Sequence, residues 1–248
     1  MKPTVVMLHG FLGEGSDFAP LAATYHARAH ILTPDLPGHG SAKPLDGELT
    51  IEAVVLHLED ELRRVGRPVH LVGYSMGGRL AMRIAARKRV RVESLALLAT
   101  SPGLRGASVR RARRERDASW ARQFNYEPIR QVLRAWYDQP IFGFGPEREA
   151  ALDALIARRA QNRPFEMARY VEAMSPGTVP HQWERLKRLT VPVALCYGRR
   201  DRTYRRIMLK MHALQPSSQV LAISGAAHAI HIERPRVLGR HLRAFQGI

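Results

Sequence analysis

One pentapeptide carries the strongest chemical signal in this sequence. Gly73-Tyr74-Ser75-Met76-Gly77 is a G-x-S-x-G motif that lies between a short apolar run and a segment with helical periodicity. In that context the motif predicts a tight strand-to-helix turn, which lifts the Ser75 hydroxyl above a sheet and places it at a helix N-terminus, where negative charge is favoured. We therefore predict a catalytic role for Ser75, with an ordinary glycine-rich turn as the structural alternative.

A catalytic serine needs a base, and the base needs a group that orients it. Asp201 follows the fifth predicted strand and His228 follows the sixth, so both are expected at the same sheet edge as Ser75. The order Ser, Asp, His is a known order for serine triads. His231 is the competing base, three residues further along the chain. We predict a triad of Ser75, His228 and Asp201, with His228 as the base.

Groups near the predicted turn could bind negative charge. Phe11 follows the first predicted strand and Met76 follows the serine, so their backbone N–H groups are predicted to form an oxyanion hole. Arg79 comes one helical turn after Ser75. An arginine there could bind a substrate carboxylate through two parallel hydrogen bonds, or it could form a surface salt bridge.

The hydrophobic pattern predicts the scaffold that holds these residues. Six short apolar runs predict strands at residues 4–8, 30–34, 68–74, 92–99, 191–197 and 219–223. Amphipathic segments predict helices at residues 50–65, 77–87, 202–214 and 235–245. Near-continuous apolar strands that alternate with helices indicate an α/β fold, with a mostly parallel sheet flanked by helices.

The alternation of strands and helices stops after the fourth predicted strand. Residues 103–188 contain no convincing strand, and helices are predicted there at residues 109–124, 127–138, 147–162 and 164–173. The ends of parallel strands are where α/β sheets bind ligands. We therefore predict that residues 103–188 form a helical lid inserted between two core strands, and that residues 1–102 and 189–248 form the core.

Composition limits the functional classes. The 248 residues are 45% hydrophobic and 25% charged, which is typical of a globular protein. The single Cys196 allows neither an intramolecular disulfide nor a cysteine-based zinc site, and the histidines lack metal-ligand spacing. We predict no metal and no cofactor. No apolar run approaches the roughly 18 residues of a membrane helix, and the N-terminal run is too short for a signal peptide. A cytoplasmic protein without a membrane partner is expected.

The net charge is unusually positive. Lysine and arginine number 39 against 22 aspartate and glutamate residues, which gives a net charge of +17. This excess indicates either a genome rich in arginine codons or an anionic partner. The basic residues are not concentrated in one tail, which disfavours nucleic acid. We predict no nucleic-acid partner, and we expect a monomer or a weak homo-oligomer.

Taken together, the motifs resemble the α/β-hydrolase superfamily. They are the HGF loop after the first strand, DLPGHG after the second, the G-x-S-x-G turn, and the ordered Asp and His. The inserted helices narrow the resemblance to the 2-succinyl-6-hydroxy-2,4-cyclohexadiene-1-carboxylate synthases of menaquinone biosynthesis. The sequence is similar to that family in G-Y-S-x-G-G-R, in R-x-x-R-x-x-x-D-x-x-W-A from Arg110, and in W-Y-x-Q-P from Trp136. The resemblance covers nearly the whole chain.

The resemblance implies a lyase for a small polycarboxylate substrate. Such an enzyme eliminates pyruvate from 2-succinyl-5-enolpyruvyl-6-hydroxy-3-cyclohexene-1-carboxylate, and its triad acts as a base. Arginine suits the planar carboxylates of this trianion. The residues that the resemblance assigns to substrate binding are Tyr74, Arg79, Arg113, Trp136 and Arg159. The choice of Arg113 over its neighbours, and of Arg159 over Arg158, rests on the motif register alone.

Two positions depart from the family pattern and leave other functions open. Ala229 follows the predicted base where the family often has Asn, and the stretch after Asp201 is Arg202-Thr203-Tyr204, where the family often has Lys-Phe. A relative with a changed substrate is therefore possible. The alternatives are a carboxylesterase or related serine hydrolase that acts through an acyl-enzyme and, less favoured, a non-catalytic binding protein for anionic partners.

Overall fold

A parallel β-sheet runs through the part of the chain that the computed structural model describes, residues 1–143 and 148–248. Its strands are β1 (Thr4–Leu8), β2 (His30–Leu32), β3 (Val69–Tyr74), β4 (Val92–Leu98), β5 (Val193–Gly198) and β6 (Gln219–Ile223). Every pair is parallel, in the order β2-β1-β3-β4-β5-β6. The order reverses between β1 and β3, and such a switch point leaves a crevice at the carboxyl ends of the strands.

Helices connect the strands. The α-helices are α1 (Ala19–Ala22), α2 (Ile51–Arg64), α3 (Met76–Arg87), α4 (Ala107–Tyr126), α5 (Ile129–Tyr137), α6 (Glu149–Arg159), α7 (Pro164–Ala173), α8 (Trp183–Lys187), α9 (Arg202–Leu214), α10 (Ile230–Glu233) and α11 (Pro235–Gln246). Short 3-10 helices span Gly15–Phe18 and Ala23–Tyr25. No helix among the described residues combines the length and the apolarity of a membrane span.

Apolar side chains pack on both faces of the sheet. Val6 and Leu8 of β1 belong to one buried cluster, which also contains apolar residues of α2, α3 and α9. Val5 and Met7 belong to a second cluster, which includes residues of α1 and α11. Because successive side chains of a strand point to opposite faces, a strand covered on both sides must be apolar throughout. This is why β1 is a continuous apolar run.

Helices α4 to α8 lie between β4 and β5 in the chain. They contribute most of a third buried cluster, in which Phe124, Leu133 and Ile156 pack with Met167. The division into core and lid, and a lid role for these helices, stay predictions. The prediction for residues 147–162 begins with a residue outside the described part of the chain, and α6 spans Glu149–Arg159.

Candidate active site

The G-x-S-x-G segment forms a strained turn between β3 and α3. Ser75 has φ 50° and ψ −108°, in the left-handed half of backbone space that residues with side chains rarely adopt. Its N–H donates to the Leu98 carbonyl at 2.9 Å, and the Thr100 hydroxyl donates to the Ser75 carbonyl at 2.6 Å. Strain of this kind persists only where neighbouring structure enforces it. Here the end of β4 holds the Ser75 backbone in place.

Two glycines give this turn the room that it needs. A Cβ atom on Gly73 would lie 2.6 Å from the Gly77 carbonyl oxygen. A Cβ atom on Gly77 would lie 2.3 Å from the carbonyl oxygen of Leu8, at the end of β1. The start of α3 therefore packs directly against β1, which brings Ser75 next to the loop that contains Phe11.

The three residues of the predicted triad lie together. His228 Nε2 is 3.4 Å from Ser75 Oγ, and His228 Nδ1 is 2.9 Å from Asp201 Oδ2. The other oxygen of Asp201 accepts the Tyr204 backbone N–H at 2.9 Å and thereby caps α9. Asp201 and His228 are both buried. A carboxylate that accepts the Nδ1 proton leaves Nε2 free to accept a proton from serine, which is the arrangement of a general base.

Two other histidines near this edge are buried and neutral. The His231 ring packs against Phe18 and Tyr74, with centroids 4.8 and 4.3 Å away, and burial lowers its pKa to about 3. His9 Nε2 accepts the Leu36 N–H at 2.8 Å, and its Nδ1 donates to the Gly10 carbonyl at 2.8 Å. Burial lowers the pKa of His9 to about 4. His9 therefore fixes the loop that carries Phe11.

A cavity of about 340 Å³ opens beside Ser75. Phe11 and Met76, the residues predicted to form the oxyanion hole, line it together with His228. Four of the five residues predicted to bind substrate also lie on its wall: Tyr74, Arg79, Arg113 and Trp136. The Trp136 ring contacts Phe11 edge to face, with centroids 5.0 Å apart. The residues predicted for the oxyanion hole and for substrate binding thus meet in one space, with the exception of Arg159.

Arg159 lies outside the wall of this cavity. Its guanidinium donates to Asp17 at 2.5 Å and to the Tyr137 hydroxyl at 3.3 Å, and both Arg159 and Asp17 are buried. Burial alone would lower the pKa of Arg159, but Tyr137 and Asp17 raise it. The half-exposed Arg158 contacts the other oxygen of Asp17 at 3.3 Å. Substrate binding by Arg159 stays a prediction, and it requires the substrate to compete with Asp17.

Arg79 is a buried cation with few partners. One guanidinium nitrogen donates to the Met174 carbonyl at 3.0 Å, and Nε has no hydrogen-bond partner among the described residues. Burial lowers its pKa to about 10, so Arg79 is still charged at neutral pH. Arg113 donates from Nε to the buried Asp117 at 2.7 Å, which holds its side chain at the cavity wall.

Arg116 and Tyr204 are among the wall residues that the sequence prediction missed. Arg116 lines the cavity and makes no salt bridge within the described ranges. It follows Arg113 by three positions, but arginines lie around most of the circumference of α4, so helical spacing does not single it out. Tyr204 lines the cavity near His228. The sequence feature that could have identified it is the departure from the family pattern after Asp201. No aspartate or glutamate of residues 1–143 and 148–248 lines the cavity.

The described residues contain no group of three or more His, Cys, Asp or Glu side chains that could hold a metal ion. Cys196 is buried within β5, and burial raises the pKa of its thiol. A thiol in that state is a poor nucleophile and a poor metal ligand, because both roles use the thiolate.

Comparison with known proteins gives similarity over nearly the whole chain. The sequence profile described as the alpha/beta hydrolase family matches residues 5–240. The 2-succinyl-6-hydroxy-2,4-cyclohexadiene-1-carboxylate synthase of Salmonella typhimurium is 33% identical over 236 residues, which cover 94% of this chain and 89% of the relative. The synthase of Yersinia enterocolitica is 33% identical and covers 94% and 82%. MenH from S. aureus superposes with a TM-score of 0.91 at 27% identity, covering 100% of this chain and 94% of that one.

Proposed function

This chain belongs to the alpha/beta hydrolase family, and from that premise we propose that it is a lyase of menaquinone biosynthesis. The substrate is 2-succinyl-5-enolpyruvyl-6-hydroxy-3-cyclohexene-1-carboxylate, and the products are pyruvate and 2-succinyl-6-hydroxy-2,4-cyclohexadiene-1-carboxylate. Its similarity to synthases named for that product supports this choice. The observation that carries the proposal is a cavity that joins Ser75 to Arg79, Arg113 and Arg116.

The elimination breaks one C–H bond and one C–O bond. Ser75 Oγ takes the proton from ring carbon 2, beside the succinyl ketone, as His228 accepts the hydroxyl proton. The electron pair shifts through the ring double bond and expels the enolpyruvyl oxygen from carbon 5. The released enolate of pyruvate takes a proton from His228 to give the enol, which tautomerises to pyruvate. Atoms and charge balance, and the triad returns to its starting state.

Negative charge develops on the succinyl ketone oxygen while the proton leaves. The backbone N–H groups of Phe11 and Met76 stabilise that oxygen in our scheme. Met76 is the first residue of α3, and N–H groups in the first turn of a helix have no partner within the helix. Donors that are fixed before the charge appears stabilise it without the cost of reorganising solvent.

The arginines match the charge of the substrate. It carries three carboxylates, and three arginines line a cavity in which the described residues place no carboxylate. Asp117 lies behind Arg113 and offsets only part of this positive charge. Cations close to one another are stabilised by an anion between them. This surplus supports a polyanionic substrate over the neutral esters of the alternative, a carboxylesterase.

The proposal is tested by comparing two reactions of the purified protein. Pyruvate release from the enolpyruvyl substrate, generated in situ, is followed by coupling to NADH oxidation. Hydrolysis of a neutral p-nitrophenyl ester is measured in parallel. We expect rapid pyruvate release and negligible ester cleavage. Clear ester turnover without pyruvate release would refute the lyase and favour the acyl-enzyme mechanism of a serine hydrolase.

Replacement of Arg79 by alanine tests the predicted carboxylate contact. We expect Arg79→Ala to lower kcat/KM for the trianionic substrate by about a hundredfold, because a charge-assisted hydrogen bond in a buried site is lost. Any slow hydrolysis of the neutral ester should change by less than about threefold, since no carboxylate is involved. Steady-state kinetics of both substrates give the comparison.

Arg83 provides the matched control for Arg79→Ala. It is a buried arginine one turn further along α3, and it bonds to Glu52 at 2.7 Å and to the Pro180 carbonyl at 3.1 Å. Arg83→Ala removes the same charge from the same helix, so we expect lower stability without discrimination between the substrates. Equal losses on both substrates in Arg79→Ala would argue against a carboxylate contact.

A further inference from the structure

Tyr204 is a residue of the cavity wall that the proposed mechanism does not use. It lies three residues after Asp201, at a position where this chain departs from the family pattern. Its side chain lines the cavity beside Ser75 and His228. The tyrosine therefore adds a phenolic hydroxyl to the surroundings of Ser75.

Two contacts fix the position of Tyr204. Its backbone N–H donates to Asp201 at 2.9 Å, so the residue is tied to the triad carboxylate. Its ring packs against the His228 ring, with centroids 4.4 Å apart and planes inclined at 46°. Its side chain lines the same cavity as Ser75. Tyr204 therefore contacts Asp201 and His228 and shares a cavity wall with Ser75.

The Tyr204 hydroxyl keeps its proton. Burial raises the pKa of this tyrosine above its ordinary value, although Arg79 and Arg113 act in the opposite direction. A protonated phenol is a hydrogen-bond donor, and the same hydroxyl can also accept. The bond between Ser75 Oγ and His228 is long, at 3.4 Å, so a second partner has room to orient that oxygen.

We propose that Tyr204 is a positioning residue whose hydroxyl donates a hydrogen bond to Ser75 Oγ and stabilises that oxygen as its proton passes to His228. Hydrogen bonds to a charged form favour that form. The effect is thus largest when the serine oxygen carries negative charge. The inference rests on the proposed function only in requiring Ser75 to be reactive, and it holds for a lyase and for a hydrolase alike.

The experiment measures the reactivity of Ser75 directly. An alkyl fluorophosphonate forms a serine O–P bond and releases fluoride, with the hydroxyl proton passing to His228, and mass spectrometry gives the labelling rate. We expect Tyr204→Phe to slow labelling about tenfold, since one hydrogen bond to a developing charge is lost. We expect kcat for pyruvate release to fall by a similar factor with KM unchanged. A packing role alone would not produce that split.

Two further variants keep the test decisive. Tyr25→Phe removes a buried hydroxyl that bonds to Gln246 at 2.7 Å, and it should label at the parent rate. Tyr204→Leu removes both hydroxyl and ring, and it should label no faster than Tyr204→Phe. Labelling of Tyr204→Phe at the parent rate, or a parent that does not label at Ser75, would overturn the inference. A parent protein that labels at Ser75 but releases no pyruvate would instead refute the proposed lyase.

Discussion

Replacing Ser75 with alanine is expected to lower kcat for pyruvate release by about four to six orders of magnitude. The variant lacks the oxygen that removes the ring proton, and His228 lies too far back to take over, since its Nε2 is already 3.4 Å from Ser75 Oγ. The fold should be intact, because alanine is smaller than serine and the bonds that hold this turn are made by backbone groups. Single-turnover assays with excess enzyme would measure the residual rate.

Ser75→Gly supplies the stability control for that experiment. Glycine adopts φ 50° without the steric cost that a side chain incurs there. We expect its free energy of unfolding to exceed that of Ser75→Ala by about 1 kcal/mol, measured by urea denaturation, while both variants are inactive. Substantial pyruvate release by either variant would refute a catalytic role for Ser75.

Most of the sheet could be predicted from the sequence because its central strands, such as β1, β3 and β5, are buried on both faces. Residues 4–8 and 219–223 were predicted with the bounds that the structure has for β1 and β6. The predicted strand 30–34 ends earlier, at Leu32, and Pro34 has no N–H to continue the ladder. The short helices α8 and α10 were missed because five and four residues carry no periodicity. The family profile and the superposition confirm the predicted α/β-hydrolase fold.

The candidate site was predictable to the extent that the sheet determines it. Ser75, Asp201 and His228 each follow a parallel strand, so their proximity follows from topology alone. The arginines of the inserted helices differ, because the packing of those helices decides which of them face the cavity. Arg159 bonds to Asp17, 142 positions away in the chain, and no local pattern reports such a pair. Arg116 lies on α4, which has arginines around most of its circumference. Helical periodicity therefore does not indicate which arginine faces the cavity.

Asp201→Asn is expected to lower kcat for pyruvate release by about four orders of magnitude, although the side chain keeps its shape. Asp201 accepts two hydrogen bonds. One oxygen accepts the Tyr204 N–H at 2.9 Å, and the other accepts the His228 Nδ1 proton at 2.9 Å. Asparagine has one acceptor oxygen, and we expect this oxygen to accept the Tyr204 N–H that caps α9. The amide NH₂ then faces Nδ1 and donates to it, so the imidazole carries its proton on Nε2 and cannot accept one from Ser75.

This outcome separates the orienting role of Asp201 from its role in the fold. Because the helix cap is retained, we expect the melting temperature of Asp201→Asn to stay close to that of the parent. Nitrogen-15 NMR of labelled histidine should report Nδ1–H in the parent and Nε2–H in the variant. Asp201→Ala loses the cap as well, so it should lose stability by about 1 kcal/mol in addition to activity. If Asp201→Asn keeps the Nδ1–H tautomer and the parental turnover, the carboxylate does not set the tautomer of His228. Another group of the cavity would then activate Ser75.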